Sequence, residues 1–159
     1  MEIKMNALKG LEIARKKILF RPDINSPIDP VTKKIVNDNR LKKNAVTLKY
    51  MLENGAAVAL IAHQGDTQDY QNLIPLMEHA QKLTALTGHP VHYIDDVCGP
   101  AAIEAVKKLP AGEAIILGNL RYLGEELSTF SNFVKLSPEE MQSVWHVRKL
   151  APLFDLYVN

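Results

Sequence analysis

The chain has 159 residues, enough for one domain with a core of its own, and at 47% hydrophobic and 23% charged its composition is that of an ordinary folded protein and not of a disordered one. A net charge of +1 gives no basic surface for nucleic acid or for a membrane, and every apolar run is far short of a bilayer span. The single cysteine, Cys98, excludes an internal disulfide framework, fits a reducing cytoplasm, and reads as a small, partly buried apolar residue.

The charged N-terminal stretch "MEIKMNALKGLEIARKK" has no long apolar segment and reads as no signal peptide. Ile18–Phe20 is the first core strand, followed by a Pro-rich loop. In "NDNRLKKNAVTLKYMLENG", Leu41, Ala45, Leu48 and Leu52 form one helical face, with Asn37 or Asp38 as the cap and Gly55 closing the helix in a left-handed conformation. "AAVALIAH" is a continuous apolar strand, as in a sheet covered on both faces. After the polar loop "QGDTQDYQN" comes a helix, "LIPLMEHAQKLTALTG", ending at Gly88, and then a strand, "PVHYID". A short helix, "GPAAIEAVKKLP", opens with Gly99 and Pro100, and "EAIILGN" is a fourth strand. Gly124 to Ser137 reads as an irregular excursion. "LSPEEMQSVWHVRKLAP" reads as one helix, with Ser137 and Glu140 as a capping box, Pro138 in the first turn, and Trp145 in the core. "FDLYVN" is a fifth strand. This alternation predicts an α/β fold: a three-layer, Rossmann-like parallel sheet with helices on both faces.

In such a sheet ligands bind beyond the carboxyl ends of the strands. There the first strand delivers Arg21, Asp23 and Asn25, the second His63, Gln64, Gly65 and Asp66, and the fourth Asn119 and Arg121. Arg40, at the start of the first helix, points toward the same rim. Three arginines and a histidine at one edge predict an anion, since guanidinium groups make paired hydrogen bonds to carboxylate or phosphate. Asp23 and Asn25 suit hydroxyl groups on the same ligand. No glycine-rich phosphate loop and no zinc-type Cys/His spacing is present. Taken alone, Arg21 and Asp23 read equally well as a mutual ion pair, His63 as a structural histidine, and His79, His89, His92 and His146 as structural or surface residues.

These rim residues carry a family resemblance. "ILFRPDINSP" resembles the N-terminal Arg-x-Asp-x-Asn-x-Pro signature of phosphoglycerate kinase, and "RPDINSPIDPVTKKIVNDNR" resembles its archaeal branch. "VHYIDDVCGPAAIEAV", "ILGNLRY" and "HVRKLAPLFDLYVN" are similar to later family segments, in family order. The resemblance implies a fold of two Rossmann-like lobes. The first holds 3-phosphoglycerate and the second Mg-ATP. Residues 1–159 correspond to the first lobe alone, with no cofactor of its own and the nucleotide lobe as its missing partner in cis. The resemblance further implies that Asp23 and Asn25 contact the glycerate part, that Arg40 reaches the carboxylate or the transferring phosphoryl group as the catalytic arginine, and that His63 and Arg121 hold the phosphate end.

One departure bears on substrate. The family continues x-G/S-R-P after the histidine, and its arginine helps grip the 3-phosphate; "HQGDT" puts Asp66 there. Gly118 stands where the family usually has Glu, and Leu123 where many members have His. Three expectations stay open: 3-phosphoglycerate with other cations compensating for Asp66, a related hydroxy acid without the phosphate, or a degenerate non-catalytic binding module. A flavodoxin-like or receiver-type domain explains the strand order only weakly and lacks the acidic pocket with its lysine.

Overall fold

A computed structural model describes residues 7–66 and 70–159. Residues 1–6 of the N-terminal stretch, and 67–69 of the polar loop, lie outside the described residues. Five strands, β1 (Lys17–Phe20), β2 (Ala57–Leu60), β3 (Val91–Tyr93), β4 (Ala114–Ile116) and β5 (Leu156–Val158), form one sheet in the order β3-β4-β2-β1-β5. Every pairing is parallel; Ile18 lies opposite both Val58 and Leu156, and Val58 opposite Ala114.

The continuous apolar runs have the predicted cause: both faces are covered. Side chains alternate across the strands, so Ile18, Phe20, Val58, Leu60 and Ile116 pack on one side with α1 (Asn39–Glu53) and α2 (Met77–Thr87). Leu19, Ala57, Ala59, Ile61 and Ile115 pack on the other, with Ala102 and Val106 of α3 (Pro100–Lys108). Cys98 is buried in that second layer.

Helix ends follow local chemistry where local chemistry is strong. Gly55 and Gly88 both adopt left-handed backbone, with φ of 76° and 75°, as predicted for helix ends. Asp38 occupies the cap position of α1, but its side chain accepts no helix N–H and pairs with Lys42 one turn on; the Asn37 side chain accepts the first helical N–H, that of Asn39. α2 starts at Met77 and not at Leu73, because Ile74 precedes Pro75, which keeps it out of helical backbone. α3 has a cap that the sequence reading missed: the Asp96 carboxylate accepts from the Gly99 N–H at 2.8 Å and the Ala102 N–H at 3.0 Å. Gly99 is required by this contact, since a Cβ there would lie 2.8 Å from the same carboxylate.

Two expectations in the C-terminal third need correction. The supposed irregular excursion holds a single 3-10 turn at Gly124–Glu126 and a short helix, α4 (Ser128–Val134). The single helix over 136–152 is two, α5 (Pro138–Met141) and α6 (Trp145–Leu150). The capping box of α5 is formed as predicted, with Ser137 bonded to the Glu140 N–H and Glu140 to the Ser137 N–H. The chain then turns extended at Val144, which is buried, and α6 restarts because the distant Glu125 carboxylate accepts the Trp145 N–H at 3.0 and 3.1 Å. This restart leaves Trp145 43% exposed, not in the core. Among the described residues no helix is long and apolar enough to cross a membrane.

Removing the Asp96 cap of α3 tests the packing of that layer. Asp96→Ala should lower stability by about 1–2 kcal/mol, read as a shift of the urea midpoint, and Gly99→Ala should also destabilise by crowding the carboxylate.

Candidate functional site

The tails of β1, β2 and β4 are tied together by two buried amide side chains. Asn119, fully buried, accepts from the Gln64 N–H at 3.1 Å and donates to the Gln64 carbonyl at 2.9 Å. It also donates to the Ile74 carbonyl at 3.0 Å and accepts from the Arg121 N–H at 3.0 Å. The Gln64 side chain repeats the arrangement one strand over, accepting from the Ser26 N–H at 2.9 Å and donating to the Ser26 carbonyl at 2.8 Å. Those two bonds fix its carbonyl oxygen, which must therefore accept from His79 Nε2 at 3.0 Å. Burial pulls the His79 ring down to about 4, so it is neutral at pH 7 and its role is structural.

On this frame the predicted rim residues come together. Arg40, from the first turn of α1, donates to the Asp23 carboxylate at 2.6 Å, and both side chains are largely exposed. Asn44, one turn on, donates to the Asp23 carbonyl at 2.9 Å and so seats the loop on the helix. Asn25 Oδ1 accepts the Gly65 N–H at 3.1 Å, tying the β1 tail to the β2 tail. Gly65 has a φ of 92°, and a Cβ there would meet the Asn72 carbonyl oxygen at 2.7 Å, so the turn needs glycine. Asp66, next in the chain, is exposed.

His63 is half-buried; burial lowers its pKa, and the nearby Arg121 charge lowers it further. It is thus a neutral hydrogen-bonding ring at pH 7 and not a third kind of cation. Asp23, Arg21 and Glu126 act on the same ring, which places all of them in one neighbourhood. Arg121 donates one Nη to the Glu126 carbonyl, its buried Nε has no hydrogen-bond partner, and among the described residues no carboxylate pairs with it.

Arg21 does not pair with Asp23. It is held by a residue that the sequence reading did not single out: Glu126 takes both guanidinium Nη atoms, at 3.1 and 2.7 Å. Oε1 of the same carboxylate lies 2.9 Å from His146 Nε2, and Glu125 lies 3.4 Å from His146 Nδ1. Burial works against the Glu126 charge, but hydrogen bonds from His146 and Arg21 outweigh it and hold the carboxyl at about 2. Burial likewise opposes a charged His146, and Glu126 and then Glu125 more than reverse this, raising its pKa above the ordinary 6.5. His146, expected to be merely structural or surface, is therefore buried in an ion cluster. Glu126 lies 105 residues from Arg21, and no local pattern announces such a pairing.

The family assignment follows from the whole chain. The phosphoglycerate kinase model matches residues 8–159. This chain belongs to the phosphoglycerate kinase family. It is 36% identical over 158 residues to phosphoglycerate kinase from Sulfolobus acidocaldarius, covering 99% of this chain and 36% of that protein. It is 35% identical to phosphoglycerate kinase from Methanothermobacter thermautotrophicus, covering 100% and 37%. The crystal structure of phosphoglycerate kinase from Pyrococcus horikoshii OT3 superposes with a TM-score of 0.85 at 36% identity, over 98% of this chain and 36% of that one. The chain thus spans little more than a third of the length of these phosphoglycerate kinases.

Two measurements check the site's construction. Gln64→Leu should destabilise the domain by about 2–4 kcal/mol by stranding the Ser26 N–H and carbonyl, read by chemical denaturation. Glu126 contributes stability that is fully present above its ordinary value of 4.5 and is lost as pH falls through about 2. The stability deficit of Glu126→Gln should therefore be full at neutral pH and shrink as pH falls from 4.5 toward 2, in urea midpoints followed against pH.

Proposed function

We propose that residues 1–159 form the acid-binding lobe of a phosphoglycerate kinase or close paralogue, which with a nucleotide lobe moves a phosphoryl group between ATP and a carboxylate. The observation that carries this reading is the convergence of Asp23, Asn25, Arg40, His63 and Arg121 on one edge of the sheet, with Arg121 lacking a carboxylate partner among the described residues. A guanidinium left uncompensated in a half-buried setting is a receptor for an anion. Arg121 takes the phosphate end of the ligand, with the neutral His63 ring donating a hydrogen bond beside it.

Arg40 serves the opposite end. Its partner Asp23 is exposed and easily rehydrated, so the ion pair costs little to open. Arg40 then meets the carboxylate or the phosphoryl group in transit, the charge stabilisation that phosphoryl transfer needs. Asp23 and Asn25 orient the glyceryl hydroxyl. In this reading Mg-ATP belongs to the nucleotide lobe, and no step here runs through it. As part of a complete enzyme the lobe works in glycolysis, in the cytoplasm.

Asp66 supports a second reading. A carboxylate where the family has an arginine repels a phosphate dianion, and this favours a hydroxy acid that carries no phosphate, or a non-catalytic binding module. Titration calorimetry of the chain with 3-phosphoglycerate and with glycerate separates these. The leading reading expects measurable 3-phosphoglycerate binding, weakened about 10- to 100-fold in Arg121→Ala and tightened in Asp66→Arg. Preference for glycerate moves the assignment to the paralogue, and failure to bind either acid overturns the reading.

A further inference from the structure

We infer that His146, acting through Glu126, is a positioning residue for the anion site: its doubly protonated ring holds the carboxylate that fixes Arg21 and the turn whose carbonyl fixes Arg121. The inference rests on the reading of the rim as an anion site and names a control on it.

The geometry leaves the ring one arrangement. Nε2 lies 2.9 Å from a Glu126 oxygen and Nδ1 3.4 Å from a Glu125 oxygen, with the His146 side chain only 8% exposed. A carboxylate oxygen only accepts, so a neutral ring would aim one lone pair at a negative oxygen. The imidazolium has a hydrogen for each. Its charge also completes a balance, since two carboxylates at the turn face one guanidinium, Arg21, and one ring.

The turn is the lever. The Gly124–Glu126 segment directly follows the tail of β4 that carries Arg121, and the Glu126 carbonyl accepts from the Arg121 guanidinium. The same residue's carboxylate grips Arg21. One residue thus sets two arginines that start on different strands, and His146 anchors that residue to α6. When the ring loses its second proton, Glu126 keeps Arg21, but one N–H is left for two carboxylates, so either Glu126 loses its tie to α6 or Glu125 faces a lone pair. The turn then loosens, and Arg121 with it.

The other groups around the ring do not titrate in the same range. Arg21, across Glu126, stays charged, its pKa raised first by the hydrogen bond to Glu126. Asp155 and Tyr157, from the β5 side, line the 340 Å³ cavity that His146 and Arg21 also border. Asp155 accepts the Lys17 N–H, and burial raises Tyr157 so that it stays neutral. Cys98, in the layer beneath, is pushed up by burial to about 11. Arg148 and Lys149 lie in the last turn of α6 itself. His63, lowered by burial, is already neutral above pH 7, and a phosphate monoester is already a dianion there. As pH rises past the raised pKa of His146, its ring is therefore, among the described residues around it, the group whose charge change reaches the site.

The test is titration calorimetry of the chain with 3-phosphoglycerate from pH 7 to pH 9 at fixed ionic strength, alongside the ¹⁵N spectrum of the His146 ring. The ring should be doubly protonated at pH 7 without ligand. Affinity should fall about fivefold or more across the range, the low end of ordinary coupling between sites. His146→Gln should flatten that profile and bind at pH 7 as weakly as the wild type at pH 9. If the variant does not fold, the wild-type pH series and ring spectrum decide alone. A singly protonated ring at pH 7, or measurable binding that does not change with pH, overturns the inference and leaves the rim reading standing. Absence of binding at every pH brings down the rim reading and the inference together, a result distinct from either of those.

Discussion

Everything at the rim depends on two neutral amides buried between strand tails. Asn119 and Gln64 each offer a donor and an acceptor to the main chain of the neighbouring segment, so three parallel strands are joined just past the point where their own ladder ends. A parallel ladder stops abruptly at its carboxyl edge, leaving backbone groups that must find partners. Here the partners are side chains and not solvent, which makes the edge a rigid floor. The network runs on to His79 and Ile74, and every polar atom of the two amide side chains has a partner, which is what lets buried polar groups stiffen a structure and not weaken it.

The electrostatics of the edge then follow from which cations the protein itself neutralises. Arg21 is held by a largely buried carboxylate and Arg40 by an exposed one, while Arg121 is met by a carbonyl and, among the described residues, by no carboxylate. These are three different grades of availability for the same functional group. Burial determines the ranking as much as distance does, because an exposed ion pair competes with water and a buried one does not. The neutral state of His63 fits the same scheme, since a second fixed cation beside Arg121 would be repelled by it.

Much of this was legible in the amino-acid order. β1, β2 and β4 stood out because a strand covered on both faces must be apolar at every position, and the polar residues that end each run mark the carboxyl edge of the sheet. Gly55, Gly88 and the Ser137 capping box were readable because their partners lie within a few residues. What stayed hidden was long-range. Gln64 and Asn119 were visible as rim residues but not as the ties between strands, and Glu125, Glu126 and His146 owe their roles to neighbours 20 or more residues away. The break between α5 and α6 belongs to the same class: helical periodicity runs through it, and only the Glu125 carboxylate arriving from another segment explains why a new helix starts at Trp145. Trp145 was misplaced in the core for that reason.

The left-handed turn at Gly65 has a consequence for how this lobe can change over time. Gln64 is locked by five hydrogen bonds to its side chain and backbone, and Gly65 by the carbonyl against its α-carbon, so neither can be exchanged without disturbing the floor. Position 66, one step further, is exposed, and among the described residues no such constraint holds it. Reversal of charge there is open to a single codon's drift at little risk to folding, so the charge shown at this edge can change at one residue while the architecture that displays it stays fixed.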